Sequence, residues 1–444
     1  MTRQMHLIGF LASGTWDESG GWRHPATDSR ILESPMWEGL ARTLEDARFD
    51  AAFFADAFVW YGDASVERGG LNYMLDPLPL AVNVLRATTH LGVGVTYSTT
   101  FYEPFGIART LGTVDYLSGG RFAWNVVTST FDAEARRFGM EKMPGRAERY
   151  DRAEEVVEAC VRLWESFPAD ALVLDKEGGQ FIDPSRLRPF EYHGKHVSTE
   201  GPLTVPASPQ GGPVIMQAGA SERGRQFAAR LGEVIFTLSH SVHEMQSYYS
   251  DVKRRVVEAG RAPEDCKIIA GIDVTVAETE QIARDKQAYA DELLDDDVAI
   301  EWTSSSTGAN LRALPPDARL ESLQGTHEGS TSYLQRLEAI QRDVGRPLTI
   351  REASREFCLR GTPRIVGDPE QVADQLQEMF EAEAADGFML GGTVMPGSLE
   401  SFARLVVPVL QKRGLFRTEY PGTTLRETLR GRAREPLAAL PARS

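Results

Sequence analysis

The feature that most constrains the fold of this chain is an alternation of short apolar runs with longer amphipathic runs. Several short runs are apolar on both faces, as the strands of a buried parallel sheet are. There are about eight of them, the number that closes a parallel barrel. They cover residues 6–12, 51–58, 91–98, 122–129, 214–219, 233–239, 267–276 and 387–391. The sequence therefore predicts an α/β fold, specifically a (β/α)8 TIM barrel.

The longer runs between these strands carry helical spacing. Two of them have clear start signals, since Asp76-Pro77 and Asp368-Pro369 each place an acidic N-cap before a proline. The predicted helices cover residues 36–47, 77–88, 104–117, 146–166, 221–231, 242–259 and 369–384. Helices in these positions can serve as the crossovers that parallel strands require.

Two connections, residues 167–212 and 278–386, are far longer than the few residues that usually join strands and helices. We interpret residues 1–444 as a single barrel domain with these two insertions and a C-terminal extension from about residue 415 to residue 444. Catalytic groups of barrels lie at the carboxyl ends of the strands. We therefore expect the insertions to form a lid over that face.

Composition limits the partners and the compartment. The 64 acidic residues outnumber the 48 Lys and Arg residues, and the net charge of −16 argues against nucleic acid or an anionic membrane as a partner. No apolar run reaches the roughly 20 residues of a spanning helix, and the first residues lack a signal-peptide pattern. The three cysteines are far apart and cannot all pair with one another. We expect a cytoplasmic protein.

Polar side chains occur at the predicted carboxyl ends of the second, third and fourth strands. Asp56 directly follows an apolar run, where a buried carboxylate needs a hydrogen-bond donor. It is either a cap for the next loop or an acceptor for the polar edge of a ligand. Residues 96–100 and 125–130 are rich in hydroxyl groups, which can line a ligand cavity or form turns.

The fifth strand is followed by a glycine turn, Gln217-Ala218-Gly219-Ala220-Ser221, that opens a helix. The free N–H groups and the dipole of a helix start suit a phosphate, and this is the best anion site in the sequence. Ser221 could also act only as an N-cap. Because Arg225 and Gln226 replace the Lys and Ser/Thr of a Walker A loop, hydrolysis of nucleoside triphosphates is not expected.

Other motif classes are missing from the sequence. It contains no Gly-x-Gly-x-x-Gly, His-Glu-x-x-His or Gly-x-Ser-x-Gly, the usual signals for a nicotinamide cofactor, a catalytic zinc and a serine nucleophile. The pairs His193/His196 and His240/His243 have no adjacent third ligand. We therefore assign no metal site.

The polar strand ends belong to segments that resemble one known family of enzymes. The matching segments are Trp22-Arg23-His24-Pro25, Phe54-Ala55-Asp56, Gly94-Val95-Thr96 with Ser98-Thr99, Trp124-Asn125-Val126-Val127-Thr128-Ser129, Glu148-Arg149-Tyr150, Gly201-Pro202-Leu203, Gln217-Ala218-Gly219-Ala220-Ser221, Asp386-Gly387-Phe388 and Leu415-Phe416-Arg417-Thr418-Glu419-Tyr420. Over nearly its whole length the chain resembles the nitrilotriacetate/dibenzothiophene-sulfone monooxygenase branch of the bacterial-luciferase-like flavin enzymes.

This resemblance implies a luciferase-type barrel with long insertions that binds FMN. It also implies a two-component monooxygenase that takes reduced FMN from a separate NAD(P)H:flavin reductase and uses O2 to oxidise or cleave a small organic substrate. The residues implied in contacts with the isoalloxazine and the ribityl chain are Asp56, Thr96, Ser98 and Asn125. Those implied at the phosphate are Ser129, Tyr150, Ala220 and Ser221. We expect a homodimer or homotetramer.

His24, Tyr61 and His327 are candidates for orienting the substrate or transferring a proton, since both residue types can donate in a pocket. Relatives often carry a histidine in the first loop, where this chain reads Ser13-Gly14-Thr15-Trp16-Asp17-Glu18-Ser19-Gly20-Gly21. We therefore expect a different substrate. Aromatic residues in the predicted loops favour an aromatic or heterocyclic one; they are Trp16, Trp22, Trp60, Tyr61 and Trp302.

Two alternatives remain at this point. The same fold could carry out hydride transfer with a deazaflavin, although Gly201-Pro202-Leu203 and the C-terminal segment disfavour this. The chain could also bind flavin without catalysing a reaction, against which the two long insertions and the polar strand ends count.

Overall fold

The structure is a computed structural model that describes residues 3–12, 14–15, 20–219, 221–239, 241–320 and 331–430. Eight parallel strands form a closed ring in which each strand pairs with the next and the last pairs with the first. They are β1 (His6–Ala12), β2 (Ala51–Ala55), β3 (Gly92–Ser98), β4 (Phe122–Val127), β5 (Val214–Ala218), β6 (Val234–Thr237), β7 (Lys267–Val276) and β8 (Gly387–Gly391). The predicted barrel and its eight strands are confirmed.

Helices follow the strands and cover the outside of the barrel. They are α1 (Ser34–Asp46), α2 (Pro77–Ala87), α3 (Pro104–Leu117), α4 (Arg146–Glu165), α5 (Glu222–Leu231), α6 (Val242–Glu258), α7 (Pro369–Glu381) and α8 (Gly397–Leu405). All except α8 were predicted. Asp76 and Asp368 cap α2 and α7 by accepting backbone N–H groups, as expected. Short helices also lie at Asp63–Arg68, Asp132–Arg137, Val407–Lys412 and Leu425–Arg430.

Alternate residues of each strand point into the barrel and out toward the helices. Phe53 of β2 and Met216 of β5 belong to the inner core, whereas Phe54 and Ile215 pack in the outer core. Gly94 of β3 also lies on the inner side, where a Cβ atom would come within 2.9 Å of the Met216 Sδ. Small residues such as this one let the large inner side chains interdigitate.

The C-terminal helix Leu425–Arg430 closes the amino-terminal end of the barrel. Its Leu425 and Leu429 belong to the inner core. Between them, Arg426 is 1% exposed and its guanidinium lies 2.7 Å and 2.9 Å from the two carboxylate oxygens of Glu233. Because one end is filled in this way, the barrel interior is left to open toward the carboxyl ends of the strands.

Both long insertions contain regular structure that the sequence analysis did not predict. The first holds two hairpins, Leu172–Asp175 with Gln180–Ile182 and Glu191–His193 with Ser198–Glu200. The second holds the helices Glu280–Glu292, Asp296–Thr307, Thr331–Val344 and Ile350–Leu359, then a strand, Arg364–Gly367, that extends the sheet beside the end of β7. Two-residue strands, Gly14–Thr15 and Asn72–Tyr73, join the loops after β1 and β2. Within the described residues, no helix has both the length and the apolar character needed to cross a bilayer.

Replacing Arg426 with Ala is expected to lower the free energy of unfolding by about 3 kcal/mol or more, because it leaves the buried Glu233 carboxylate with less compensation. Arg404→Ala is the matched control, since Arg404 pairs with Glu278 at the surface and should contribute less than about 1 kcal/mol. Urea unfolding curves of the two variants measure the difference. Equal shifts of the two curves would contradict a stabilising role for the buried Arg426–Glu233 pair.

Candidate active site

Strands β3 and β4 bring three of the predicted residues together at the carboxyl end of the barrel. Thr96 pairs in register with Asn125, and the Asn125 Nδ2 donates to the Thr96 Oγ1 at 3.0 Å. Both side chains are buried, as is Ser98 two residues further along β3. The Asn125 Oδ1 is buried as well and has no hydrogen-bond partner. A buried acceptor in this position calls for a donor from outside the chain.

The loops after β3 and β4 are held together by hydroxyl groups. The Oγ atoms of Ser98 and Ser129 lie 3.0 Å apart, and the Thr100 Oγ1 donates to the Thr128 carbonyl at 2.7 Å. Ser129 has a φ of +50°, a left-handed conformation that residues with a side chain rarely adopt. Such strained positions occur often at ligand sites, where the surrounding bonds maintain them.

The turn between β5 and α5 is tightly packed. The Ser221 Oγ accepts the Gly224 N–H at 3.1 Å, so Ser221 is the N-cap of α5 as expected. A Cβ on Gly224 would lie 2.8 Å from the Gly219 Cα, so this close approach requires glycine. The Tyr248 hydroxyl donates to the Gly219 carbonyl at 2.8 Å and so anchors the turn to α6. Ala220 lies outside the described residues.

An ion pair between two helices brings the segment that contains Tyr150 to the start of α5. Tyr150 is half-buried in α4, and the next residue, Asp151, pairs with Arg223 of α5. Arg223 lies two residues after Ser221. The starts of α4 and α5 are therefore neighbours, as a phosphate site shared by Tyr150 and Ser221 would require.

Asp56 lies at the end of β2 in a setting that disfavours its ionised form. Burial, with a smaller contribution from the nearby carboxylates of Asp76 and Glu134, raises the pKa of the Asp56 carboxyl to about 7, although a hydrogen bond from the Ala57 N–H partly opposes the shift. Glu134 also accepts the Phe58 N–H at 3.3 Å, which ties the loop after β2 to the helix that follows β4. Asp56 can therefore hold a proton near neutral pH.

Two of the three residues predicted for catalysis, His24 and Tyr61, fall within the described residues and have different neighbours. His24 is half-buried against Tyr289 of the second insertion, with ring centroids 5.3 Å apart, and its Nδ1 accepts the Ala26 N–H at 3.1 Å. Burial, followed by the charge of Lys286, lowers the pKa of His24. Tyr61 lies elsewhere, in an aromatic cluster. His327 lies outside the described residues.

The aromatic cluster around Tyr61 joins the barrel to the second insertion. The Tyr61 ring meets Trp302 edge-on with centroids 4.8 Å apart and Phe131 with centroids 6.0 Å apart. Phe10 of β1 packs against the same group. Trp302 belongs to the insertion helix Asp296–Thr307, so the insertion packs directly on residues that follow the barrel strands.

An apolar wall faces the polar ends of β3 and β4 across the barrel. Phe236 and Met389 belong to the inner core of β6 and β8. Leu238, which follows β6, is 55% exposed. A Cβ on Gly271 of β7 would lie 2.5 Å from the Leu238 Cδ2, so the two residues fit closely. Sequence reasoning missed Leu238, because a leucine within a predicted apolar strand (residues 233–239) looks like any other core residue.

The described residues contain no group of three or more His, Cys, Asp and Glu side chains that could hold a metal ion. The site instead combines hydroxyl groups, amide groups, one protonatable carboxyl and a helix start on one side with apolar side chains on the other. This combination suits an organic ligand that has a phosphate and several hydrogen-bonding edges.

Comparison with known proteins gives consistent matches over the chain. The luciferase-like monooxygenase family matches residues 36–387. The dibenzothiophene-sulfone monooxygenase of Rhodococcus erythropolis (strain XP) is 40% identical in an alignment of 440 residues that covers 96% of each chain. The nitrilotriacetate monooxygenase component A of Aminobacter aminovorans is 36% identical over 439 residues, again 96% of each chain. The crystal structure of a riboflavin lyase with modified FMN and riboflavin has a TM-score of 0.87 and 32% identity, and the match covers 97% of this chain and 96% of that one.

Replacing Asp56 with Asn is expected to raise the free energy of unfolding of the apoprotein more at pH 8 than at pH 5. An unfolded aspartate ionises near pH 4, whereas Asp56 in the folded protein keeps its proton up to about pH 7. Between these values the folded state binds more protons, so its stability falls as the pH rises, and asparagine avoids that loss. Urea unfolding at the two pH values tests this; an equal effect at both would contradict it.

Proposed function

This chain belongs to the luciferase-like monooxygenase family, and we propose that it is the oxygenating component of a two-component system that uses reduced FMN. It is a flavin-dependent monooxygenase that acts on small organic substrates. Membership of this family favours oxygenation over the two alternatives left open by the sequence, which are hydride transfer with a deazaflavin and flavin binding without catalysis. FMN as the specific cofactor, the contacts with it and the class of substrate are our proposals.

The observation that carries the proposal is the pair of polar strand ends at β3 and β4. The unpaired Asn125 Oδ1 offers an acceptor for a ring N–H of the flavin, while its amide nitrogen is held by Thr96. Ser98 adds a hydroxyl beside them, and Asp56 adds a carboxyl that can be protonated near neutral pH. Together these four side chains would hold the isoalloxazine and the ribityl chain.

The phosphate is assigned to the region where α4 and α5 begin. Free N–H groups and the dipole at the start of α5 favour an anion, and Ser221 supplies a hydroxyl there. Ser129 and Tyr150 would add two further hydroxyl groups. Ala220 would contribute backbone, and it is included from the resemblance alone because it lies outside the described residues.

Reduced flavin, when bound, supplies the two electrons with which O2 is activated. For an oxygen insertion the overall balance is substrate + O2 + FMNH2 → oxidised substrate + FMN + H2O. The chain has to orient the substrate and exclude water. Phe10, Tyr61 and Trp302 provide an apolar cover on the side of the second insertion. His24, Tyr61 and His327 remain candidates for orienting the substrate or moving a proton.

We propose a small, uncharged substrate with aromatic or heterocyclic character. The wall formed by Leu238 and the inner aromatic residues would contact such a molecule, and the Tyr61–Trp302 pair adds aromatic surface. The carboxylates of Asp76 and Glu134, which lie close enough to Asp56 to raise its pKa, disfavour a polyanion at the same opening. The substrate would therefore differ in charge from nitrilotriacetate, the compound named for one relative.

The partner that we propose is a separate NAD(P)H:flavin reductase. The lack of a dinucleotide-binding fingerprint supports this. So does the name of the nitrilotriacetate relative, which describes it as one component of a system. We also propose that the enzyme works in the cytoplasm, where its free, buried cysteines stay reduced, and as a homodimer or homotetramer.

The protein is expected to bind FMN more tightly than riboflavin, and Tyr150→Phe together with Ser221→Ala should remove that preference. Two hydrogen bonds to a charged group contribute roughly 3 kcal/mol or more, so FMN affinity should fall by about two orders of magnitude. Tyr116→Phe together with Ser185→Ala makes the same chemical changes at exposed residues and serves as the control. Fluorescence titration measures the affinities, and unchanged FMN binding in the first variant would refute the phosphate assignment.

The purified chain is expected to show no NADH oxidation with FMN alone and to turn over its substrate once an unrelated flavin reductase is added. The physical reason is that the sequence offers no site for a dinucleotide, while reduced FMN can diffuse from any reductase. NADH absorbance and product formation are the two measurements. Oxidation of NADH at a catalytic rate by the chain alone would rule out a two-component system.

A further inference from the structure

Gln217 of β5 has a buried amide oxygen with no partner. The residue is 6% exposed, and its Oε1 makes no hydrogen bond. A Cβ built on Gly219 would lie 3.0 Å from this oxygen, so the amide is directed at the turn between β5 and α5. Native structures contain few buried polar atoms without a partner, and each one calls for an explanation.

The surroundings of Gln217 identify the missing partner as a donor. Its neighbour Met216 faces the inner core, so Gln217 points outward, toward the side on which α5 packs. The turn above it is filled by Gly219, Gly224 and Ser221, and the Ser221 Oγ already accepts the Gly224 N–H. An amide oxygen beneath this turn would repel a phosphate but could accept a hydrogen bond from a hydroxyl group.

We propose that Gln217 is a further cofactor-contacting residue, whose Oε1 accepts a hydrogen bond from a hydroxyl of the ribityl chain next to the phosphate. The proposal rests on FMN binding as described above and assigns a role to a residue whose own contacts in the chain leave its acceptor unused. Inorganic phosphate could occupy the phosphate site but could not also donate a hydroxyl to the Gln217 Oε1. Gln217 would therefore favour a phosphorylated sugar-alcohol chain over a bare anion.

The test uses Gln217→Met in the full chain, a change that keeps the length of the side chain and removes the amide. FMN and riboflavin should each bind about tenfold more weakly, because both carry the ribityl hydroxyl groups and one hydrogen bond is lost. The apoprotein should unfold at the same urea concentration or a higher one, because an acceptor without a partner has been removed. Gln226→Met is the matched control, since Gln226 is exposed on α5 and its amide donates to the Glu222 carboxylate of the same helix.

Two results with Gln217→Met would overturn the proposal. Affinities for both flavins within about twofold of those of the unchanged protein would remove Gln217 from the site. A loss confined to FMN would mean that the amide contacts the phosphate and not the ribityl chain. If Gln217→Met unfolds too easily to be titrated, Gln217→Glu retains an acceptor oxygen and should keep riboflavin affinity, and a tenfold loss in that variant would also contradict the proposal.

The outcome is separate from that of the proposed function. If the unchanged protein binds neither FMN nor riboflavin, the proposed function fails and Gln217 has no role to lose. If the unchanged protein binds FMN and Gln217→Met binds both flavins equally well, only the inference about Gln217 fails.

Discussion

Closure of the barrel is the constraint on which the rest of the structure depends. A closed ring of eight strands buries one set of alternate side chains inside and the other set under the helices. At the amino-terminal end the interior is filled by the helix Leu425–Arg430, with Arg426 and Glu233 neutralising each other in a buried position. A ligand can then enter only at the carboxyl ends, where the inner positions change from apolar residues to Thr96, Ser98 and Asn125. The same alternation that builds the core therefore builds the site.

The barrel was predictable from sequence because its strands are apolar on both faces and bounded by turns, so that few other structures fit them. The helices of the second insertion lack that signal. Their packing depends on contacts with distant residues, such as Trp302 against Tyr61 and Glu301 against the N–H of Ser65. The strand Arg364–Gly367 has four residues and gains its place only from the exposed end of β7, which no local pattern encodes.

The site was predictable in part, and for different reasons at different residues. Polar groups at strand ends pointed to Asn125 and Thr96, but the bond between them depends on the register of β3 and β4. Tyr150 came from the resemblance alone, since a tyrosine in an acidic helix has no distinguishing pattern. In addition, not every segment that resembles the family contributes to the site. Arg417 of the C-terminal segment pairs with the buried Asp50, so that this stretch holds the barrel together.

As a flavin-dependent monooxygenase, the chain transfers an oxygen atom from O2 with electrons from reduced flavin. The most direct measurement supplies the protein with chemically reduced FMN and 18O2 in the presence of uncharged aromatic and heterocyclic compounds, and determines the mass of the products. The product should carry one 18O atom from O2 and none from labelled water, and it should not form without O2 or without reduced FMN. A product that forms anaerobically, or that carries no label from 18O2, would contradict oxygen transfer by this enzyme.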